Sequence, residues 1–206
     1  MCLGTAELTV WPWEHLALGY ALYSVVRRVS TGECPGDTDT LVLAVATQIP
    51  DVVDKPLAWS FGLLPSGLSL GHSVFLGAPI WVGTLVVARW HNRVDLGQAF
   101  VVGYASHLLG DVVYFLLTNG RLSYEFLLWP LVSQPATEPT TVLVQLAALV
   151  ASFREFLTTP RGQFYLLFEF AFLSGTVLLW TLDGFPGVGI LDPVFAGPSE
   201  DVEERP

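Results

Sequence analysis

The sequence predicts an all-α membrane bundle of about five to seven helices with a polar, metal-type site at one end. Three observations carry that expectation. The chain of 206 residues is 52% hydrophobic and only 14% charged, where soluble domains hold about 25% charged residues; its mean hydropathy is +0.54. Its apolar runs are broken at Pro, Gly and Asp, and read as helices rather than strands. The few ionisable residues within or beside those runs fall where the chain's passages bring them together.

The elements follow in order. Trp11 to Val26 reads as a first helix, with Pro12 in its first turn, two tryptophans at its mouth, and Arg27 and Arg28 at its other end. Ser30 to Asp39 reads as a loop. Thr40 to Ile49 is a second, short helix stopped by Pro50, after which come Asp51, Asp54 and a partly apolar segment to Leu64. Ser69 is placed to cap the helix holding His72, and the apolar run from Val74 ends at Arg89, His91 and Arg93.

Asp95 and Gln98 have capping-box spacing and open the helix that carries His107 and ends near Gly120. Residues 121–141 are mixed, with aromatics suited to the membrane interface and several prolines. Thr141 to Phe153 is a further short apolar stretch. Phe164 to Leu182 is the clearest spanning segment, long enough at about 1.5 Å per residue to cross the hydrocarbon core. Residues 1–183 therefore read as one membrane-embedded domain. Residues 184–206 read as a Gly/Pro-rich, acidic, disordered tail.

Charge narrows the function classes. The net charge is −10, with eight Arg and a single Lys, Lys55, which argues against a nucleic-acid partner and points to the lipid bilayer. An acidic, Lys-poor surface also suits a salt-loving, archaeal-type cell. Cys2 and Cys34 make no disulfide framework or CxxC motif. The first residues lack a signal peptide's basic and apolar regions, so insertion is expected to rely on internal spans.

Six polar residues stand out: His15, Asp51, Asp54, His72, His107 and Asp111. Ionisable groups in membrane segments are costly unless paired or metal-bound. His107 and Asp111 are four apart, which puts an imidazole and a carboxylate on one helix face about 6 Å apart along the axis. Walking the chain out and back brings all six to one end. That convergence favours a metal site over a structural polar network. Nitrogen and oxygen ligands without Cys suit zinc first, with manganese and iron(II) also compatible.

The motifs Glu14-His15, Pro50-Asp51-x-x-Asp54, Gly71-His72-Ser73 and His107-x-x-x-Asp111 resemble, in order and spacing, those of a bacterial and archaeal family. Its members are small inner-membrane proteins described as metal-dependent hydrolases, whose bacterial founder is under SOS control. The resemblance covers roughly residues 11–130. More loosely the pattern is similar to zinc-dependent phospholipase C and P1-type nucleases, which hydrolyse phosphodiesters with a metal cluster.

What the resemblance implies is a membrane-bound, metal-dependent hydrolase of phosphoester bonds in a lipid or lipid-linked substrate. His72, His107 and Asp111 would hold the main ion, with His15 and Asp51 completing a second site or bridging. Asp54 or Glu14 would serve as general base, with a cap or salt bridge the alternative part for Asp54 and a helix-dipole part for Glu14. The non-enzymatic alternative is a metal-ion carrier or a structural polar-core bundle. Arg27, Arg28, Arg89, Arg93, Arg154 and Arg161 are expected opposite the site, against Lys55 and Arg121 beside it. That imbalance makes a multi-pass protein of the cytoplasmic membrane with the site facing outward.

Overall fold

The computed structural model describes residues 10–136 and 140–191, and these are helical or irregular, without a strand. Seven α-helices follow in order: α1 (Pro12–Thr31), α2 (Asp37–Ala46), α3 (Ile49–Trp59), α4 (Val74–Trp90), α5 (Val94–Asn119), α6 (Val142–Leu157) and α7 (Pro160–Leu182). Short 3₁₀ turns occupy Glu125–Leu128 and Gly189–Leu191. The all-α architecture is the one the composition calls for.

Helix α5 is the axis, and α1, α2 and α4 pack around it. Gly103 permits the closest approach: a Cβ there would stand 2.8 Å from the Leu43 carbonyl oxygen and 3.0 Å from the Ala46 Cβ on α2. The buried Tyr23 hydroxyl donates to Asp39 Oδ2 at 2.6 Å and lies 3.2 Å from the Asp95 carbonyl oxygen. That one side chain gathers the end of α1 with the starts of α2 and α5, so α1 runs antiparallel to α5.

Helix α7 runs parallel to α1. Trp13 Nε1 donates to Glu169 Oε1 at 2.9 Å, and two and three turns further along α1 Tyr20 and Ser24 donate to Asp183 Oδ2 at 2.6 and 2.7 Å. Arg28 also pairs with Asp183. Burial pushes the Asp183 carboxyl up, but the hydrogen bonds from Tyr20, Ser24 and Arg28 outweigh it and hold the group below the usual carboxylate range.

Two helices, α5 and α7, are long and apolar enough to cross a membrane. They differ in surroundings. Half of the α5 window is buried inside the protein, but only 11% of the α7 window is. Phe164, Leu167 and Phe170 of α7 are each more than 60% exposed. An apolar surface of that extent needs hydrocarbon or a partner against it.

Several boundaries differ from expectation for local reasons. Pro50 does not stop α2; it sits in the first turn of α3, where a missing N–H costs no helical bond. Helix α1 runs through the expected loop as far as Thr31. Ser73, not Ser69, caps α4, accepting from the Phe75 amide at 3.2 Å; Ser69 instead turns its amide to Asp54. Helix α5 starts at Val94 without a side-chain cap, so Asp95 lies in its first turn.

The first residues of the expected tail make hydrogen bonds to the helices. Trp180 Nε1 donates to the Pro186 carbonyl at 3.0 Å, and the Gly187 amide donates to Asp37 Oδ1 at 2.5 Å. The acidic end from 192, together with Cys2 and Pro139, lies outside the described residues.

The expected charge asymmetry does not hold. Helix α6 packs on α3 and α7 instead of making a passage of its own, so α7 begins at the end where α1 begins. The Arg161 guanidinium lies over Gly120 at the C-terminus of α5, and Arg154 stands in the last turn of α6. Arg27, Arg28, Arg89 and Arg93 thus face Lys55, Arg121, Arg154 and Arg161 across the protein, and the balance that favoured an outward site disappears.

Two outcomes follow from this packing. Gly103→Leu should destabilise the protein in detergent by about 1–3 kcal/mol through overpacking against α2, while Gly83→Leu, which meets open space, leaves the melting temperature unchanged. Because the folded Asp183 pKa is depressed, its contribution is complete above the ordinary carboxylate value of about 3.9 and is lost as pH falls through the folded value. Asp183→Asn should therefore flatten the acid limb of the stability profile, as read by tryptophan fluorescence.

Candidate metal centre

His107 and Asp111 face the same side of α5, near the middle of that helix. His15 reaches them from the first turn of α1, Asp51 and Asp54 from the first two turns of α3, and His72 from the residues just ahead of α4. All six expected residues are buried, and His15, Asp54, His72 and His107 are at most 1% exposed. Small size admits His15: a Cβ on Gly110 would come within 3.1 Å of its Nδ1.

The imidazole tautomers follow from their partners. The His107 Nδ1 lies 2.6 Å from the Thr47 carbonyl oxygen, which can only accept, so that nitrogen carries the proton. The His72 Nδ1 lies 2.8 Å from Asp54 Oδ2. Asp54 also accepts the amides of Ser69 at 2.7 Å, Gly71 at 2.7 Å and His72 at 3.3 Å. An acceptor so engaged is a carboxylate, and it takes the His72 Nδ1 proton.

Both rings consequently aim their Nε2 atoms inward. These two nitrogens are 3.0 Å apart, close to the about 3.3 Å separation of two nitrogens on a tetrahedral ion at about 2.0–2.1 Å. Asp111 Oδ2 stands 3.3 Å from the His72 Nε2 and 3.5 Å from the His107 Nε2. Asp51 Oδ1 stands 3.6 and 3.7 Å from the same two nitrogens. His72, His107 and Asp111 form a buried group whose ligand atoms lie close enough together to hold a metal ion, and the Nδ1 partners of the two rings are the outer hydrogen bonds that metal-binding histidines ordinarily make.

His15 stands just outside. Its ring stacks on His107 with centroids 3.6 Å apart, and its Nε2 lies 3.7 Å from Asp111 Oδ1. Neither of its ring nitrogens has a hydrogen-bond partner among the described residues. His15, Asp51 and His107 form a second possible ligand group, beside His72, His107 and Asp111. Both groups need His107, which has one free nitrogen, so they compete for a single ion.

The two carboxylates expected as general bases stand elsewhere. Asp54 has both oxygens committed behind His72. Glu14 accepts the Trp11 amide at 2.7 Å and the Tyr165 hydroxyl, lining a separate pocket with Tyr114 and Glu169 between α1, α5 and α7. His91 caps the far end of α4 and stacks on Trp90, away from the cluster.

Two contributors escape sequence reasoning. The Thr47 carbonyl is a backbone group with no side-chain signature. The pairing of Lys55 with Asp51, one helical turn away, is the other; Lys55 was expected beside the site, and the spacing of four was the available signal for its partner.

The sequence profile described as YdjM inner membrane protein matches residues 11–184, a span that includes all seven helices and the whole cluster. No curated relative and no solved structure matches the chain.

The Asp54 clasp should be measurable as stability. Asp54→Ala strands three amides and the His72 ring, and should cost about 3–5 kcal/mol in thermal unfolding. A loss below about 1 kcal/mol would show that the clasp is not what holds the loop.

Proposed function

The chain belongs to the YdjM inner membrane protein family, and from that premise we propose that it is a membrane-bound, metal-dependent hydrolase of phosphoester bonds in a lipid or lipid-linked substrate. The observation that carries the proposal is the pair of Nε2 atoms 3.0 Å apart, each ring fixed by its own Nδ1 bond and faced by Asp51 and Asp111. In a buried site such a pair needs a shared proton or a metal cation between its nitrogens, and the two carboxylates supply the charge that a divalent ion requires.

His72, His107, Asp51 and Asp111 would hold one divalent ion, with zinc the best match to two nitrogens and two oxygens. When bound, such an ion polarises a phosphoryl oxygen and makes water nucleophilic at neutral pH. Asp54 and the Thr47 carbonyl position the two rings. His15, with both nitrogens unpartnered beside Asp111, is the group placed to accept a proton from the attacking water, so it takes the part expected of Asp54 or Glu14. Asp51 ties the centre to Lys55, which can meet a phosphate's charge.

Metal content and turnover of the purified full chain test this together. The wild type should carry a single ion per chain and hydrolyse bis(4-nitrophenyl) phosphate. His107→Ala and Asp111→Ala should lose the ion, and His91→Ala should keep it. His15→Ala should keep the ion and lose about 10²–10⁴-fold in turnover. Equal metal content in the His107, Asp111 and His91 variants ends the metal-centre reading. Bound metal with flux into vesicles and no turnover favours the carrier alternative.

A further inference from the structure

A cleft of about 350 Å³ opens between α1, α3 and α6, a size within the usual about 300–1,000 Å³ of small-molecule sites. Trp11, Trp59, Leu146 and Leu149 contribute to its apolar walls, and Asp51 and Lys55 lie at its polar end. Asp51 Oδ1 also stands 3.6 and 3.7 Å from the His72 and His107 Nε2 atoms, so the cleft ends at the candidate centre. Lys55 is the only lysine in the chain. Among the described residues its ammonium has Asp51 as its only hydrogen-bond partner, and it lies 5.8 Å from the Trp59 ring centroid. Two of its three N–H donors remain for an incoming acceptor.

The helix that closes the cleft is apolar on both sides. Leu146 and Leu149 line it, while Leu143 and Val144 on the outside are 78% and 55% exposed. A cleft with an ion-paired lysine at one end and greasy walls, bounded by a helix with an outer face suited to hydrocarbon, matches an amphiphile arriving from the bilayer with a phosphate to meet the two spare ammonium donors. We propose that this cleft seats the hydrocarbon chain of a membrane amphiphile, and that Lys55 draws its phosphate toward Asp51. The assignment deepens the phosphoesterase reading and rests on it for the fate of the substrate, though not for its binding.

Two diesters sharing one leaving group test the cleft: methyl 4-nitrophenyl phosphate and hexadecyl 4-nitrophenyl phosphate, on the zinc-loaded full chain in detergent. The long ester should show a KM lower by at least about tenfold. Leu146→Trp, which fills the cleft, should bring the two KM values to within about twofold, while Leu143→Trp on the outer face of α6 keeps the difference. Binding of hexadecyl phosphate, measured by calorimetry without turnover, should weaken about tenfold in both Leu146→Trp and Lys55→Met.

A KM difference that survives Leu146→Trp arises from the micelle and overturns the proposal, as does equal KM in the wild type. If neither ester is hydrolysed, calorimetry decides. Binding sensitive to Leu146→Trp and Lys55→Met keeps the cleft and sinks only the hydrolase reading. Binding indifferent to both sinks the cleft.

Discussion

Two imidazole nitrogens held 3.0 Å apart, out of reach of water, are the constraint on which the structure depends. Each ring is fixed from behind: His107 by a backbone carbonyl of the α2–α3 turn, His72 by a carboxylate on α3. A tautomer change in either ring breaks its outer bond, so the space between the two nitrogens suits a shared proton or a metal cation. The four helices that supply the cluster and its supports must therefore meet at one depth. The close approaches at Gly103 and Gly110 are what allow them to.

The surrounding helices divide the labour. Helix α5 is half enclosed and carries polar residues inward; α7 is largely exposed, with Tyr165, Glu169 and Thr176 its buried polar residues. A spanning helix that offers lipid an unbroken apolar surface lets its neighbour spend its length on ionisable groups, which hydrocarbon alone would not tolerate. The price of that arrangement is that α7 is held chiefly along one line, from Trp13–Glu169 to the Asp183 hydrogen bonds.

Much of this was legible in the chain. The scarcity of ionisable residues in apolar runs singled out the six cluster residues, and the spacing of four between His107 and Asp111 survives in the fold because α5 is regular there. What the chain hid was direction and backbone chemistry. Pro50 reads equally as the end of one helix or the first turn of the next, and only tertiary placement chooses. Helix α6 has the apolar character of a passage but too little length, so counting it as one reversed α7 and the sides of Arg154 and Arg161. Asp54 looked like a reactive carboxylate because the amides that occupy it come from a loop whose path no side-chain pattern records.

That loop has a consequence for how the site behaves without its ion. In small zinc domains the metal itself orders the chain, and a chelator unfolds them. Here the residues from Ser69 to His72 are already drawn around Asp54 by protein hydrogen bonds, and α1 and α5 already press their histidines together. The geometry is complete before any cation arrives. On the proposed reading, a site stripped of its ion stays folded with its two facing nitrogens sharing a proton, and reloading displaces that proton rather than folding a loop.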